Sequence, residues 1–267
     1  MRYLLFFGLI VLTVACEEVI DIELDDVPPR EVIEAALDGE TGILRVRVTT
    51  TGPYFDAGAV NPVAGVSVEV SSDADNLVYV PTQTGIGTFV DTLAVEPGTR
   101  YTLRVQTPTD TYAAGSLLPV AVPIASIDSE FQTARGPREE GYRLEFDFQD
   151  PPGEANFYRL VHTVNDTLQT DPDDLLVTED ILFDGGFARV QLFQQTFDLG
   201  DTVQLELRHL DRAGYEYFNS LSDILSTSQA PNSGSAAPAN PISNWDNEAL
   251  GYFSAYYPTR MTLVIED

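Results

Sequence analysis

The residues that could carry catalysis are two histidines and a large set of carboxylates. His162 and His209 each fall within an alternating pattern typical of a strand, where a structural role explains a histidine more simply than a catalytic one. The sequence has no His-Glu-x-x-His, Gly-x-Ser-x-Gly or glycine-rich phosphate motif. Because 42 residues are Asp or Glu, one pair of carboxylates is weak evidence for glycoside hydrolysis. We therefore expect a protein that is not an enzyme and uses no cofactor.

Acidic residues concentrate between positions 166 and 184 and raise the question of a calcium site. Carboxylate oxygens are the ligands that Ca²⁺ prefers in extracellular modules. Asp171, Asp173 and Asp174 lie close together, as do Asp180 and Asp184, yet neither run matches a calcium-loop motif. A solvated acidic loop explains this composition better than a metal site. Asp171, Asp173 and Asp174 are the calcium candidates that remain.

Cys16 is the only cysteine, so it has no disulfide partner within the chain. It follows a basic residue, an apolar run from Leu4 to Val14 and a small residue, which are the features of a secretory signal too short to span a membrane. The end of this segment, Leu12-Thr13-Val14-Ala15-Cys16, resembles a bacterial lipobox, in which signal peptidase II cleaves before the cysteine and diacylglycerol is attached to its sulfur. The alternative is an ordinary signal followed by a chance cysteine. We expect residues 1–15 to be the signal peptide and Cys16 to be lipidated.

The segment from residue 240 to residue 246 places the only tryptophan among polar turn-forming residues. Tryptophan and tyrosine are favourable anchors at protein interfaces. Asn244, Trp245, Tyr252 and Tyr256 are therefore candidates for ligand or partner binding, as exposed residues near a recognition loop. Alternatively, Trp245 fills one end of the second domain's core. The sequence leaves both interpretations open.

β-Strands must position these candidates, because most of the chain alternates apolar and polar residues with period two. An acidic tether, residues 16–27, leads to Pro28-Pro29. Seven short strands then recur at a spacing of about ten residues, separated by glycine and proline turns, and Ile43 to Thr49 is the clearest of them. This pattern predicts an immunoglobulin-like β-sandwich over residues 28–118.

The chain from residue 119 to residue 267 is predicted to be a second, β-rich domain that carries one helix. The alternating segments 142–148 and 157–161 predict a hairpin, and apolar residues at helical spacing predict a helix near 213–227. Two final strands, 250–257 and 261–265, are expected to return to the second sheet. The expected fold class is mainly β.

The charge of the chain is strongly negative, at −28, and all fourteen basic residues are arginine. Such a surface repels nucleic acid and anionic lipid, so nucleic acid is excluded as a partner. Two causes fit a chain without lysine, a very GC-rich genome and adaptation to high salt. The acidity favours the second, so we predict a salt-loving or marine source. Because salt screens self-repulsion between surface charges, the melting temperature should rise between low and molar potassium chloride. An unchanged melting temperature would contradict this prediction.

Several segments together resemble a known family. They are the lipobox with Cys16, the segments 62–68 and 97–103, Tyr217-Phe218 in the helix, and 240–244 leading into 250–255. These resemble the domain of unknown function 4249, a family of Bacteroidota outer-membrane lipoproteins, over nearly the whole mature chain. The resemblance implies an accessory lipoprotein of an uptake system, because members are commonly encoded beside TonB-dependent receptors. It supplies no ligand and no catalytic residues.

The expected location is the outer membrane, with a lipid anchor on Cys16. Glu17-Glu18 resembles a signal for export to the cell surface, although the two charges also suit a solvated tether. The expected function is a non-enzymatic accessory or substrate-capture partner of a TonB-dependent receptor. The alternatives are a structural, adhesive or carbohydrate-binding surface lipoprotein and a periplasm-facing one.

Overall fold

The computed structural model describes residues 28–52, 60–75, 77–136, 139–192, 195–229 and 239–266, so the predicted signal peptide and tether lie outside the described residues. Within these ranges the chain forms strands and one long helix, α1 (Arg212–Gln229). The strands are β1 (Glu31–Asp38), β2 (Ile43–Thr50), β3 (Asn61–Pro62), β4 (Ser67–Ser72), β5 (Val78–Tyr79), β6 (Gln83–Gly85), β7 (Thr88–Thr92), β8 (Arg100–Gln106), β9 (Thr111–Leu117), β10 (Ile124–Gln132), β11 (Gly141–Gln149), β12 (Phe157–Val164), β13 (Thr167–Leu168), β14 (Leu176–Glu179), β15 (Phe187–Gln191), β16 (Thr202–Leu210) and β17 (Leu250–Val264).

One ten-stranded sheet runs through both halves of the chain. Its main path is β13-β12-β16-β17-β1-β2-β7-β6, and β14 and β3 pair at its sides. A four-stranded sheet, β5-β4-β8-β9, packs against one half of it, and a three-stranded sheet, β10-β11-β15, packs against the other. The expected fold class is confirmed in its broad terms: the protein is mainly β, with two packed sheets that form a sandwich in the first half and a β-rich second half that carries a helix.

Alternation along the strands places the apolar side chains in two separate cores. In β2, Leu44, Val46 and Val48 are buried in the first core, while Arg45 and Arg47 point outward. The second core lies between β10, β11 and β15 on one side and β12 and β16 on the other. Burial of these side chains is the main stabilising contribution in each half. None of the helices in the described part of the chain has the length and hydropathy to cross a membrane.

The last strand corrects one prediction, because 250–257 and 261–265 are not two strands of the second sheet. They form the single strand β17, which pairs in parallel with β1 over 250–256 and antiparallel with β16 over 256–264. Pro258 lies within this strand, although proline cannot donate a hydrogen bond to a ladder. β1 ends opposite Tyr256, so Pro258 is flanked by β16 alone and is tolerated there.

A second correction concerns β11 and β12, which do not form the predicted hairpin. β11 pairs with β10 and β15, whereas β12 pairs with β13, β14 and β16 in the large sheet. The connection between them, which contains Pro151-Pro152, crosses from one sheet to the other. The predicted helix is confirmed, with two added residues at the C-terminal end and one at the N-terminal end.

Candidate ligand-binding cleft

A cleft of about 700 Å³ lies where the first sandwich meets the start of α1. Residues 117–120, at and just after the end of β9, line it together with residues 151–152 and 154–157 and the first turn of α1. Most of this wall consists of proline and apolar side chains. The volume falls within the range of about 300–1,000 Å³ that is usual for small-molecule sites.

Asp211 joins the parts of the protein that form the cleft. Its Oδ1 accepts a hydrogen bond from the Gly214 backbone N–H at 2.9 Å, which makes it the N-cap of α1. Its Oδ2 accepts one from the Leu117 N–H at 3.2 Å, at the end of β9. Burial raises the pKa of Asp211, and the bonds from Gly214, the Ser116 hydroxyl and Leu117, together with the charge of Arg100, oppose this rise.

Replacing Asp211 by alanine should lower the free energy of unfolding by about 1–2 kcal/mol, because it removes a helix cap. Asp211→Asn keeps an acceptor oxygen and should cost less. Since the folded-state pKa is raised, the fold disfavours the ionised form, and the contribution of Asp211 to stability declines as the pH rises from the unfolded-state pKa through the folded-state pKa. Urea unfolding of the three proteins across the acidic range checks this. Identical pH dependence of the wild type and Asp211→Asn would contradict it.

Two arginines line the cleft, together with the carboxylates of Glu154, Asp211 and Glu216. The guanidinium of Arg212 lies 4.8 Å from the ring centre of Phe157, and this ring stacks on Tyr215 at a centroid distance of 4.9 Å. Arg100, from β8, is exposed and also lines the cleft. Arginines bind carboxylates with two parallel hydrogen bonds and stack on flat groups. The cleft can therefore accept a ligand that carries a carboxylate or a ring.

The two histidines have structural surroundings. His209 lines the cleft, but its Nδ1 lies 2.8 Å from the Val120 carbonyl oxygen and its ring stacks on Tyr158 at 5.1 Å. His162 is buried, with its Nε2 3.7 Å from a carboxylate oxygen of Asp174. Burial lowers the pKa of both histidines. Both imidazoles are thus favoured in the uncharged form.

Three aspartates lie close together where the β11–β12 connection meets the segment between β14 and β15. Carboxylate oxygens of Asp150, Asp180 and Asp184 lie within 4.8 Å of one another. Each already accepts a hydrogen bond from the protein, the donors being the Tyr158 hydroxyl and the Gly185 N–H for Asp150, the Asn156 N–H for Asp180 and the Gly153 N–H for Asp184. These bonds fasten the β11–β12 connection to the loop before β15. Asp180 and Asp184 can be grouped from their spacing in the sequence. Asp150 cannot, because it lies some thirty residues earlier, directly after β11.

The calcium candidates predicted from the sequence lie elsewhere, in one turn of 3₁₀-helix. The Asp171 N–H donates to Asp174 Oδ2 at 2.8 Å, so the two residues cap each other. Asp174 Oδ1 accepts a hydrogen bond from the side-chain amide of Gln195 and faces His162. Asp171 and Asp173 are exposed. Among the described residues, the three-carboxylate group is the one around Asp150 and not this turn.

Trp245 is a core residue, so its interpretation as an exposed anchor is wrong. Its side chain is only 6% exposed and packs within the first core, and its Nε1–H donates to the Ile33 carbonyl oxygen at 2.9 Å. The alternative, that Trp245 fills the end of a core, is correct, but this core is that of the first sandwich and not that of the second domain. Asn244 supports it, because its side-chain amide donates to the Phe253 carbonyl at 2.8 Å and accepts from the Phe253 N–H at 2.9 Å.

The residues after Trp245 protect the edge of the four-stranded sheet. Asp246 exchanges two hydrogen bonds with Ala113 of β9, at 2.6 and 3.1 Å, and the Asn247 amide donates to the Thr111 carbonyl at 2.7 Å. An exposed strand edge invites pairing with other chains. The predicted recognition loop therefore covers an edge strand.

Tyr252 and Tyr256 are also structural, since they lie between the large sheet and α1. Tyr252 contacts Tyr217 and Phe218 of the helix, at ring-centroid distances of 4.6 and 4.9 Å. The guanidinium of Arg208 lies 4.6 Å from the ring centre of Tyr256, which is buried. An exposed contact surface formed by these two tyrosines is therefore contradicted by the structure.

An exposed apolar segment was missed by the sequence analysis. Ile181, Leu182 and Phe187 are 72%, 94% and 69% exposed, respectively. They lie around the loop that connects β14 to β15. A Cβ atom on Gly185 of this loop would come within 2.8 Å of Pro152, a residue that lines the cleft. The exposed segment thus adjoins the cleft wall. The only feature of the sequence that indicates this exposed segment is the presence of apolar residues among aspartates and glycines.

Comparison with known proteins identifies the family. The family described as a domain of unknown function (DUF4249) matches residues 17–262. No curated protein matches the chain. A similar solved structure is a segment of two fibronectin type-III domains from chicken tenascin, which is 13% identical and covers 68% of this chain and 90% of the segment, with a TM-score of 0.23. A score this low transfers neither structure nor function. The match over nearly the whole chain shows that this protein belongs to the DUF4249 family.

Proposed function

We propose that this protein is a non-enzymatic lipoprotein of the outer membrane that binds a TonB-dependent receptor and helps to capture its substrate. The sequence supports the anchor, because an apolar leader ends directly before the only cysteine, Cys16. The resemblance noted above supports the receptor as the partner. The cleft beside α1, with its two arginines and the ring of Phe157, is the proposed place of substrate capture.

The observation that carries the proposal is the exposed apolar segment beside this cleft. A single exposed apolar residue is ordinary on a protein surface. Here Ile181, Leu182 and Phe187 are all mostly exposed within seven positions of the chain. Such concentrations mark sites of protein interaction. A receptor bound at this segment would lie next to a ligand held in the cleft.

The charge around the segment favours a protein partner over a lipid surface. Glu179, Asp180 and Asp184 flank the apolar residues, and the whole chain carries −28. This charge repels anionic lipid. A receptor surface with an apolar pocket and a basic rim would complement it, because opposite charges steer two proteins together.

The test is recovery of the receptor with the affinity-tagged lipoprotein after mild detergent extraction. We expect the wild type to bring the receptor with it and Leu182→Glu to reduce the recovered receptor at least tenfold, because a charge would replace the most exposed apolar contact. Val80→Glu is the matched control, since Val80 is 70% exposed but lies in the first sandwich. The control should recover as much receptor as the wild type.

Two outcomes would contradict the proposal. One is repeated extraction of the wild type without any receptor. The other is equal recovery with Leu182→Glu and the wild type, which would remove the segment from the contact. Retention of the protein on immobilised polysaccharide, with no receptor recovered, would instead favour the carbohydrate-binding alternative.

A further inference from the structure

A second cavity, of about 350 Å³, opens between the two sheets of the C-terminal half. β14 pairs only with β12, and β15 pairs only with β11, so both are edge strands of their sheets. Residues of both strands line the cavity. The entrance therefore lies between two edges that belong to opposite sheets, and it leads into the second core.

The wall of this cavity is apolar and rich in aromatic rings. Phe146, Phe148 and Tyr158 form part of it and are almost completely buried. Phe183, from the loop after β14, makes an edge-to-face contact with Phe148 at a centroid distance of 5.9 Å. The Tyr158 hydroxyl is already bonded to Asp150. The tyrosine therefore presents its ring rather than a free polar group.

The size and lining together indicate the class of occupant. An apolar cavity of about 150 Å³ stays dry and takes up benzene. The cavity here has more than twice that volume, which suits a molecule of two or three rings. A polar occupant would lose hydrogen bonds with water and find few replacements, at a cost of about 1–3 kcal/mol for each unpaired group.

The charges near the cavity also limit the class of ligand that it can bind. Arg189 lines the cavity, and its Nε lies 3.0 Å from Glu145 and 2.9 Å from Asp147. The cation of Arg189 is thus neutralised by two carboxylates that do not themselves line the cavity. Because the one cation among the described residues that line the cavity is already paired, an anionic ligand gains no ion pair there, and the overall charge of the chain, −28, repels it.

We infer that this cavity is a binding site for a small, uncharged aromatic molecule that enters between β14 and β15. The site is separate from the cleft beside α1, and the inference does not depend on the receptor partnership. The apolar wall holds the rings, and the negative charge of the chain disfavours anionic analogues of the same shape.

The test compares two fluorescent probes that share one ring system. N-phenyl-1-naphthylamine is uncharged, and 1-anilinonaphthalene-8-sulfonate adds a sulfonate. The mature chain with Cys16→Ala avoids detergent, which would itself take up the probes. We expect saturable binding of one uncharged probe per chain and at least tenfold weaker binding of the sulfonate.

Two variants locate the site. Val190→Phe should fill the cavity from β15 and weaken binding of the uncharged probe at least tenfold, whereas the matched change Val80→Phe, at an exposed position of the first sandwich, should leave it unchanged. Melting curves verify folding, and Leu176→Phe, from β14, carries the same test if Val190→Phe folds poorly. The inference is overturned if the wild type shows no saturable binding, if both probes bind equally, or if filling the cavity leaves binding unchanged.

Discussion

Replacing Trp245 by alanine should lower the free energy of unfolding by about 3–5 kcal/mol, the usual cost of truncating a large buried aromatic side chain. The indole is nearly inaccessible to solvent and packs within the first core. Its loss also leaves the Ile33 carbonyl without the indole donor. Trp245→Phe should cost less, because it keeps a ring in the cavity and loses mainly the hydrogen bond. Urea unfolding followed by far-ultraviolet circular dichroism measures all three proteins.

The matched control for this prediction is Ile242→Ala, in the same loop. Ile242 is 56% exposed, so its truncation should change the stability by no more than about 0.5 kcal/mol. Because Trp245 is the only tryptophan, its emission in the folded wild type should be blue-shifted and move to the red on unfolding. Equal stability of Trp245→Ala and Ile242→Ala would show that the loop does not close the core.

Gly251→Ala should cost about 2–5 kcal/mol, from left-handed backbone strain and overpacking together. Gly251 has φ +93° and pairs with Ile33 where β17 meets β1. An added Cβ would lie 2.1 Å from the Ile33 carbonyl oxygen and 2.7 Å from its carbon. These are backbone atoms, so no side-chain rotation can relieve the contact. Thermal and urea unfolding measure the loss.

Gly200→Ala separates backbone strain from overpacking as causes of the stability lost in Gly251→Ala. Gly200 has nearly the same φ, +90°, but an added Cβ would meet no atom within 4 Å. Its replacement should therefore cost only the left-handed strain, about 1–2 kcal/mol. If both variants lose the same stability, the close approach of β17 to β1 does not constrain residue 251.

Strand faces could be predicted from the sequence, but strand partners could not. Alternation reports which side chains are buried, as Leu44 and Val46 show in β2. The same alternation in β11 and β12 carries no information about pairing, and the two strands belong to different sheets. β17 joins the first strand of the chain to the second half, a contact between distant residues that local periodicity cannot reveal.

The candidate site was harder to predict, because its residues matter through contacts made only in the fold. A lone tryptophan among turn-forming residues has the same local signature whether it plugs a core or anchors a partner, and only the burial of Trp245 decides between them. The role of Asp211 depends on Leu117, far earlier in the chain. The exposure of Leu182 follows from its place at the end of a short 3₁₀-helix after the edge strand β14, which composition does not show.

The measurement that tests the proposed function most directly is proteolysis of intact cells that produce either the wild type or Cys16→Ala. The account predicts that added protease digests the wild type while a soluble periplasmic protein stays intact. It also predicts that Cys16→Ala is lost from the membrane fraction, because the only cysteine, the proposed site of lipid attachment, is gone. Protection of the wild type would place the protein inside the cell envelope, and retention of Cys16→Ala on the membrane would contradict the lipid anchor.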